Sequence, residues 1–247
     1  MACPLNADAV FGPAVHRCRT NFDFTLLFEQ SILQIVPSAL LLLFIPLRTI
    51  HLHRQDVKTR RTRFRAVKQV AIATYAATQL ALLILWSVKS KSATSASVPA
   101  AIVSFVAAFG LFFLSSFEHT RSIRPSSLIN AYMLASLLLD LPQARTLWIR
   151  TGPRSIPAIF TAGLAAKSAI LVLEARSKRR SLFPPYNVYA PETLVSLYDR
   201  TVLFWLNPLF VQGYRNIINL NDLFKIDTGL MSDKVERDFQ KAWRLRK

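Results

Sequence analysis

Glycine is scarce in this chain, with six in 247 residues. A glycine-rich loop around a phosphate is therefore hard to build, and no Gly-x-x-x-x-Gly-Lys-Ser/Thr run occurs. Acidic residues are also few. Fourteen Asp and Glu face 31 Lys and Arg, a net charge of +17. Only two cysteines exist, Cys3 and Cys18, which rules out a cysteine-rich zinc cluster. No Asn-x-Ser/Thr acceptor is present. The first 20 residues lack a basic stretch followed by an apolar one, so no cleavable signal peptide is visible, and insertion falls to the first span. Carboxylates are scattered, Ser and His do not pair plausibly, and no catalytic constellation or internal repeat appears.

What the chain has is apolar length. Hydrophobic residues make up 52% and mean hydropathy is +0.29, high for a soluble globule. Five apolar segments stand out: Phe24–Leu47, Ala66–Val88, Val98–Phe117, Ser126 to about Leu147, and Ser155–Glu174. Each approaches the ~20 residues that cross ~30 Å of hydrocarbon as a helix. Only a helix satisfies its own backbone there. The expected fold is an all-α membrane protein: an outer N-terminus (1–23), a five-helix transmembrane bundle (24–175), and a cytosolic linker with amphipathic helices (176–247).

The basic residues orient this arrangement. The loops after the first, third and fifth spans hold fourteen Lys and Arg, and the opposite side holds seven. Positive charge favours the cytosol, so the N-terminus is expected outside and the C-terminus inside. Much of the net charge thereby acquires a membrane explanation, and nucleic acid is not expected as a partner. With the N-terminus outside, Cys3 and Cys18 can form a disulfide; two unrelated thiols are the alternative. In the first loop, Lys58, Arg60, Arg61, Arg63 and Arg65 could hold anionic headgroups as well as set topology. His51-x-His53 is a weak metal pair and reads as part of that basic loop.

Charges inside the spans include Glu29, Asp140 and Lys167. Such groups are costly and usually face the bundle interior. Asp140 and Lys167 can form an inter-helix ion pair. Alternatively Asp140, near Pro142 and Arg145, lies at the outer interface while Lys167 snorkels.

The tail contains LYDRTVLFWLNPLFVQGYRN, Leu197–Asn216, apolar in the middle yet too short and too broken to span. Pro191-Glu192 suits a helix start. Leu194, Leu197, Tyr198, Thr201, Val202 and Trp205 share a side at helical spacing, an amphipathic helix expected to lie along an interface. Asn207-Pro208 is expected to bend the chain and Gly213 to permit a turn. Ser232 or Asp233 can cap a last helix bearing Val235, Phe239 and Trp243.

The run PETLVSLYDRTVLFWLNPLFVQGYRNIINLNDLFKID resembles the linker, or lasso motif, of subfamily C (multidrug-resistance-associated) ABC transporters. The matching features are Pro191-Glu192, Phe204-Trp205, Asn207-Pro208-Leu209, Gly213-Tyr214-Arg215, Leu220, Asp222-Leu223 and Phe239–Trp243. Five upstream spans resemble that family's extra N-terminal domain, and Ala144–Trp148 and Leu171–Glu174 look like fungal members. The resemblance implies a membrane-lying element that docks on the core transmembrane domains of a transporter. Its docking residues would be Leu197, Phe204, Trp205, Asn207, Pro208, Gly213, Tyr214, Arg215, Asp222, Leu223 and Trp243. It also implies a plasma or vacuolar membrane, and export of organic anions, conjugates and drugs by the full family. ATP and Mg would bind domains beyond this chain, which has neither the P-loop nor a Leu-Ser-Gly-Gly-Gln run. No enzyme activity, cofactor or metal is expected of the chain itself. The expected product is a truncated accessory region; the rival is a self-standing adaptor that binds a transporter or other membrane partner in trans.

Overall fold

A computed structural model describes residues 8–12, 24–59, 62–89, 92–150, 152–178, 181–184, 189–219, 223–224 and 232–244. Among the described residues the regular elements are helices, with one isolated bridge between Thr59 and Leu182. Five helices are long: α1 (Leu26–His53), α2 (Arg63–Val88), α3 (Ser97–Arg121), α4 (Ser127–Ile149) and α5 (Ser155–Ala175). Four short ones follow: α6 (Pro191–Leu194), α7 (Leu197–Thr201), α8 (Asn207–Arg215) and α9 (Ser232–Arg244).

α1, α2, α3 and α5 are long and apolar enough to cross a membrane. α4 is as long but does not meet that measure, and its composition explains why. Its buried residues include Asn130, Ser136, Asp140, Gln143 and Thr146. They turn inward, leaving Leu138, Leu141, Trp148 and Ile149 on the surface. α4 packs against α5 and α1, within the same bundle.

The bundle is inverted relative to a soluble one. Leu43 (63% exposed), Leu47, Val70, Phe109 and Val172 lie on its outside, and a polar ladder runs through its middle. Water would penalise such a surface; hydrocarbon would not. With little hydrophobic drive between helices in lipid, close packing must hold them together. α3 shows this in its buried stripe of Ala100, Ala101, Ser104, Ala107, Ala108, Leu111, Leu114 and Ser115. At Gly110 a methyl group would come to 2.6 Å from Ile45 Cδ1, so α1 and α3 approach where a side chain is missing.

α1 opens with a π-helical stretch, Glu29–Ile35. The wider turn sets Glu29, Gln30 and Gln34 toward neighbouring helices. Glu29 accepts from Thr146 (2.8 Å), Gln30 from Thr94 (2.5 Å) and Ser97 (2.9 Å), and Gln34 from Gln143 (3.1 Å). These bonds tie α1 to α3 and α4 at the end opposite the basic loops.

Candidate functional site

Several charges that enter the bundle are met by opposite charges. Lys167 of α5 donates to Asp140 of α4, and the side chains are 6% and 7% exposed. Asp140 lies about 15 Å along α4 from Arg150, and Lys167 about 18 Å along α5 from Ser155, so the pair is near the middle of the bundle. The Tyr75 ring stands 5.5 Å from the ammonium. The structure thus brings together the two charges that the sequence left as either a pair or an interfacial acid with a snorkelling lysine.

A second buried pair lies at the basic end. Lys68 of α2 donates to Glu174 of α5 at 2.9 Å, both side chains 2% exposed, and Ser115 of α3 donates to the same carboxylate at 2.5 Å. Lys68 stands at the margin between the first loop, with whose cations it is counted, and the second apolar segment; α2 begins three residues before Ala66, at Arg63, and carries Lys68 inside. Nearby, Arg48 of α1 holds Glu118 of α3 at 2.7 Å, with Glu118 only 1% exposed.

Loops are stitched onto this end. The Arg121 guanidinium donates to the carbonyls of Leu52 and Gln55 and to that of His53, satisfying the open end of α1. Thr59 donates to the His119 carbonyl at 2.8 Å, and the Phe183 amide to the Lys58 carbonyl at 3.0 Å. Lys178 is buried and donates to the Glu118 carbonyl at 2.8 Å. Burial lowers its pKa from the ordinary 10.5 to about 8, against the opposing pull of Glu174.

The linker leaves from here and is anchored at its start. Leu194 is 1% exposed, and its carbonyl accepts from Ser177. Tyr198 donates to the Asn130 carbonyl of α4 at 2.7 Å, and partial burial raises its pKa. Beyond Thr201 anchoring ends. Val202, Phe204, Phe210, Tyr214 (93% exposed) and Ile217 all face outward. Trp205 is half-buried, 6.0 Å from the Phe224 ring. On α9, Phe239 and Trp243 stack at 5.8 Å and are both exposed.

Three expectations for the linker need correction. The single amphipathic helix over 191–205 is broken twice. Ser196 takes extended geometry and caps α7 by accepting from the Asp199 amide. Leu203 adopts a left-handed conformation (φ 56°), which ends α7 and starts a 3-10 turn over Phe204–Leu206. Asn207-Pro208 starts a helix rather than bending one, since proline lacks only an amide that the first turn leaves unbonded. Gly213 is helical within α8, where a methyl group would come to 2.7 Å from Ile218 Cδ1.

The other expected residues are placed as follows. Leu197, Asn207, Pro208, Arg215 and Leu223 are exposed. Arg63 is exposed, while Arg65 is half-buried and donates to Ser116 at 2.6 Å. Lys58 donates to Gln55 at 2.8 Å. His51 and His53 are exposed at the end of α1. Cys3, Cys18, Arg60, Arg61 and Asp222 lie outside the described residues. The sequence reading passed over Lys68–Glu174, Arg48–Glu118 and the Tyr198–Asn130 anchor. The spacing of Glu29, Gln30, Gln34 and Ser38 within one apolar run was the signal for the inner ladder.

A helical membrane domain with polar pairs inside, followed by a C-terminal segment with exposed apolar residues, is the class this geometry defines. Residues 10–161 match the ABC transporter TMD0 domain family, and the chain belongs to it. Among its relatives are the ABC multidrug transporter lscH of Purpureocillium lilacinum, 37% identical over 242 residues (96% of this chain, 16% of the relative). The ABC transporter atnG of Emericella nidulans is 34% identical over 233 residues (94% and 15%). ABC multidrug transporter B of Aspergillus fumigatus is 35% identical over 246 residues (98% and 17%). The chain spans about one-sixth of the length of these curated relatives. Apolar helices and transporter relatives together make this an integral membrane protein.

Proposed function

We propose that this chain is the accessory membrane region of a subfamily C ABC transporter, serving anchoring, trafficking and docking on the transporter core. The observation that carries the reading is the linker: anchored by Leu194 and Tyr198, then presenting Phe204, Phe210 and Tyr214 outward. A face of that kind wants apolar helices or lipid to cover it. All five long helices cross the membrane in this reading, α4 included, because its polar residues are turned inward. The basic loops face the cytosol, and Arg63 adds contact with anionic headgroups. The whole transporter exports organic anions, conjugates or drugs from a plasma or vacuolar membrane. Substrate contact, ATP and Mg belong to its other domains.

An antibody raised against Leu182–Lys247 tests this on membrane fractions. A band several times larger than 27.9 kDa supports an accessory region in cis. A band near 27.9 kDa that co-purifies with a transporter in mild detergent favours the adaptor acting in trans, and the cis reading then fails.

A further inference from the structure

We propose that the cleft between the basic end of the bundle and the start of the linker holds the phosphorylated headgroup of an anionic membrane lipid, which ties the linker to the bundle. The inference rests on the reading above that this end faces the anionic, cytosolic leaflet.

The cleft has a volume of about 550 Å³, within the range of small-ligand sites. The last turns of α1 and α3, the turn into α4, and the linker from Glu192 to Arg200 form its walls. Arg48, Lys58, Arg121, Arg124 and Arg200 line it, and Glu192 is the acid among its described lining residues. Arg48 also pairs with Glu118, and Arg121 also donates to carbonyls at the end of α1. Four of these cations come from the bundle and its loops, and Arg200 comes from the linker. A group bound by both sets joins the two.

Charge alone would fit any polyanion; depth and rim favour a lipid. The walls are the ends of membrane-length helices, the level at which headgroups lie. Leu197, 42% exposed, lines the cleft on the linker side, while Leu47 and Ile50 are exposed on the last turns of α1 outside its lining. Acyl chains leaving a headgroup in the cleft would cover Leu197. A free phosphate would leave it bare.

The competing acid is weakly held. Arg200 and Glu192 pair at 3.0 Å, with side chains 50% and 26% exposed. Exposed pairs of that kind contribute little. A phosphate with two or three oxygens offers the guanidinium a better, bidentate acceptor.

The test titrates the 247-residue chain in neutral detergent, reading its melting temperature. The probes are dioctanoyl phosphatidylinositol bisphosphate, dioctanoyl phosphatidylcholine and free inositol trisphosphate. The phosphoinositide is expected to raise the melting temperature saturably, and phosphatidylcholine to leave it unchanged. The double variant Arg124→Ala/Arg200→Ala should raise the half-saturating concentration about 30-fold, roughly fivefold per lost charge. Glu192→Gln should tighten binding about threefold, the gain expected when a weak surface pair no longer competes. That gain stays readable if the double variant fails to fold. Lys234→Ala, exposed on α9 and outside the cleft, should titrate as the parent does.

Unchanged half-saturation in both cleft variants would overturn the proposal. So would equal weakening by Lys234→Ala, which would mean binding to basic surface in general. Equal potency of inositol trisphosphate, or stabilisation by a phosphopeptide but not by the lipid, would overturn the lipid assignment. Detergent binding does not depend on which leaflet the cleft faces. A negative titration therefore removes the cleft alone, whereas labelling the basic loops from outside intact cells would remove the orientation.

Discussion

The bundle and the linker expose apolar side chains to similar degrees, but for different reasons. In the bundle, Leu43 and Phe109 lie on long helices whose buried acids Glu29 and Glu118 are bonded to neighbouring helices. Lipid suits that surface. In the linker, Phe204 and Tyr214 lie on pieces of three to nine residues, too short to cross hydrocarbon. Their helices have no buried residues of their own. An exposed apolar residue is therefore informative only with the length and interior of its helix. The bundle's apolar surface suits lipid; the linker's exposed apolar residues lie on helices too short to cross it.

The sharpest way to break this contrast is at the mid-bundle pair. Asp140→Leu or Lys167→Met alone leaves a buried charge without its counter-charge, and should cost about 3–5 kcal/mol in thermal unfolding in detergent. The double variant should recover most of that loss, since two apolar groups replace two charges. If each single variant melts like the parent, the pair contributes nothing to the bundle.

Overfilling a helix contact should cost less. Gly110→Val puts a branched side chain where Ile45 already lies 2.6 Å from a bare methyl position, and should destabilise by about 1–3 kcal/mol in the same assay. Relief by Ile45→Ala in the double variant would confirm the contact between α1 and α3.

The boundary between the two regions can be tested at Tyr198. Tyr198→Phe removes one hydrogen bond, to the Asn130 carbonyl, at about 1 kcal/mol. Amide exchange over residues 190–201 should quicken while the α3 core keeps its protection. Unchanged exchange there would mean that Leu194 alone anchors the linker.

Lys178 gives a slope rather than a loss. Its folded pKa, about 8, lies below the ordinary 10.5, so between those values the unfolded chain binds more protons. Stability should therefore be flat below pH 8 and rise as pH climbs toward 10.5, against the background of the other groups. Lys178→Met should abolish that rise. At the far end of the scale, Phe204→Ser with Tyr214→Ser should shift bundle stability by less than ~0.5 kcal/mol. The same change should abolish co-purification with a transporter core; equal loss of bundle stability would erase the distinction between the regions.

Much of the bundle was legible because it obeys one-dimensional rules. Apolar length marked the long helices, and loop charge proposed an orientation. The linker was legible as a motif but not as a shape. Its 3.6-residue spacing suggested one helix over 191–205, yet Ser196 and Leu203 interrupt it through backbone geometry that spacing does not report. The place of Lys68 was ambiguous for a related reason. Positioned near a basic loop it looks solvated, and only the Glu174 carboxylate from a helix 106 positions away makes its burial tolerable.

The sequence by itself determined that long stretches must be helical and in hydrocarbon, since apolar runs of this length permit no other satisfied backbone. It also contains no Gly-x-x-x-x-Gly-Lys-Ser/Thr run. Only the tertiary structure decided which charges meet. Asp140 with Lys167, Lys68 with Glu174, and Arg48 with Glu118 are pairings across separate helices. Each is set by how helices rotate and pack against one another, and a buried charge has no tolerable place until that packing supplies its partner.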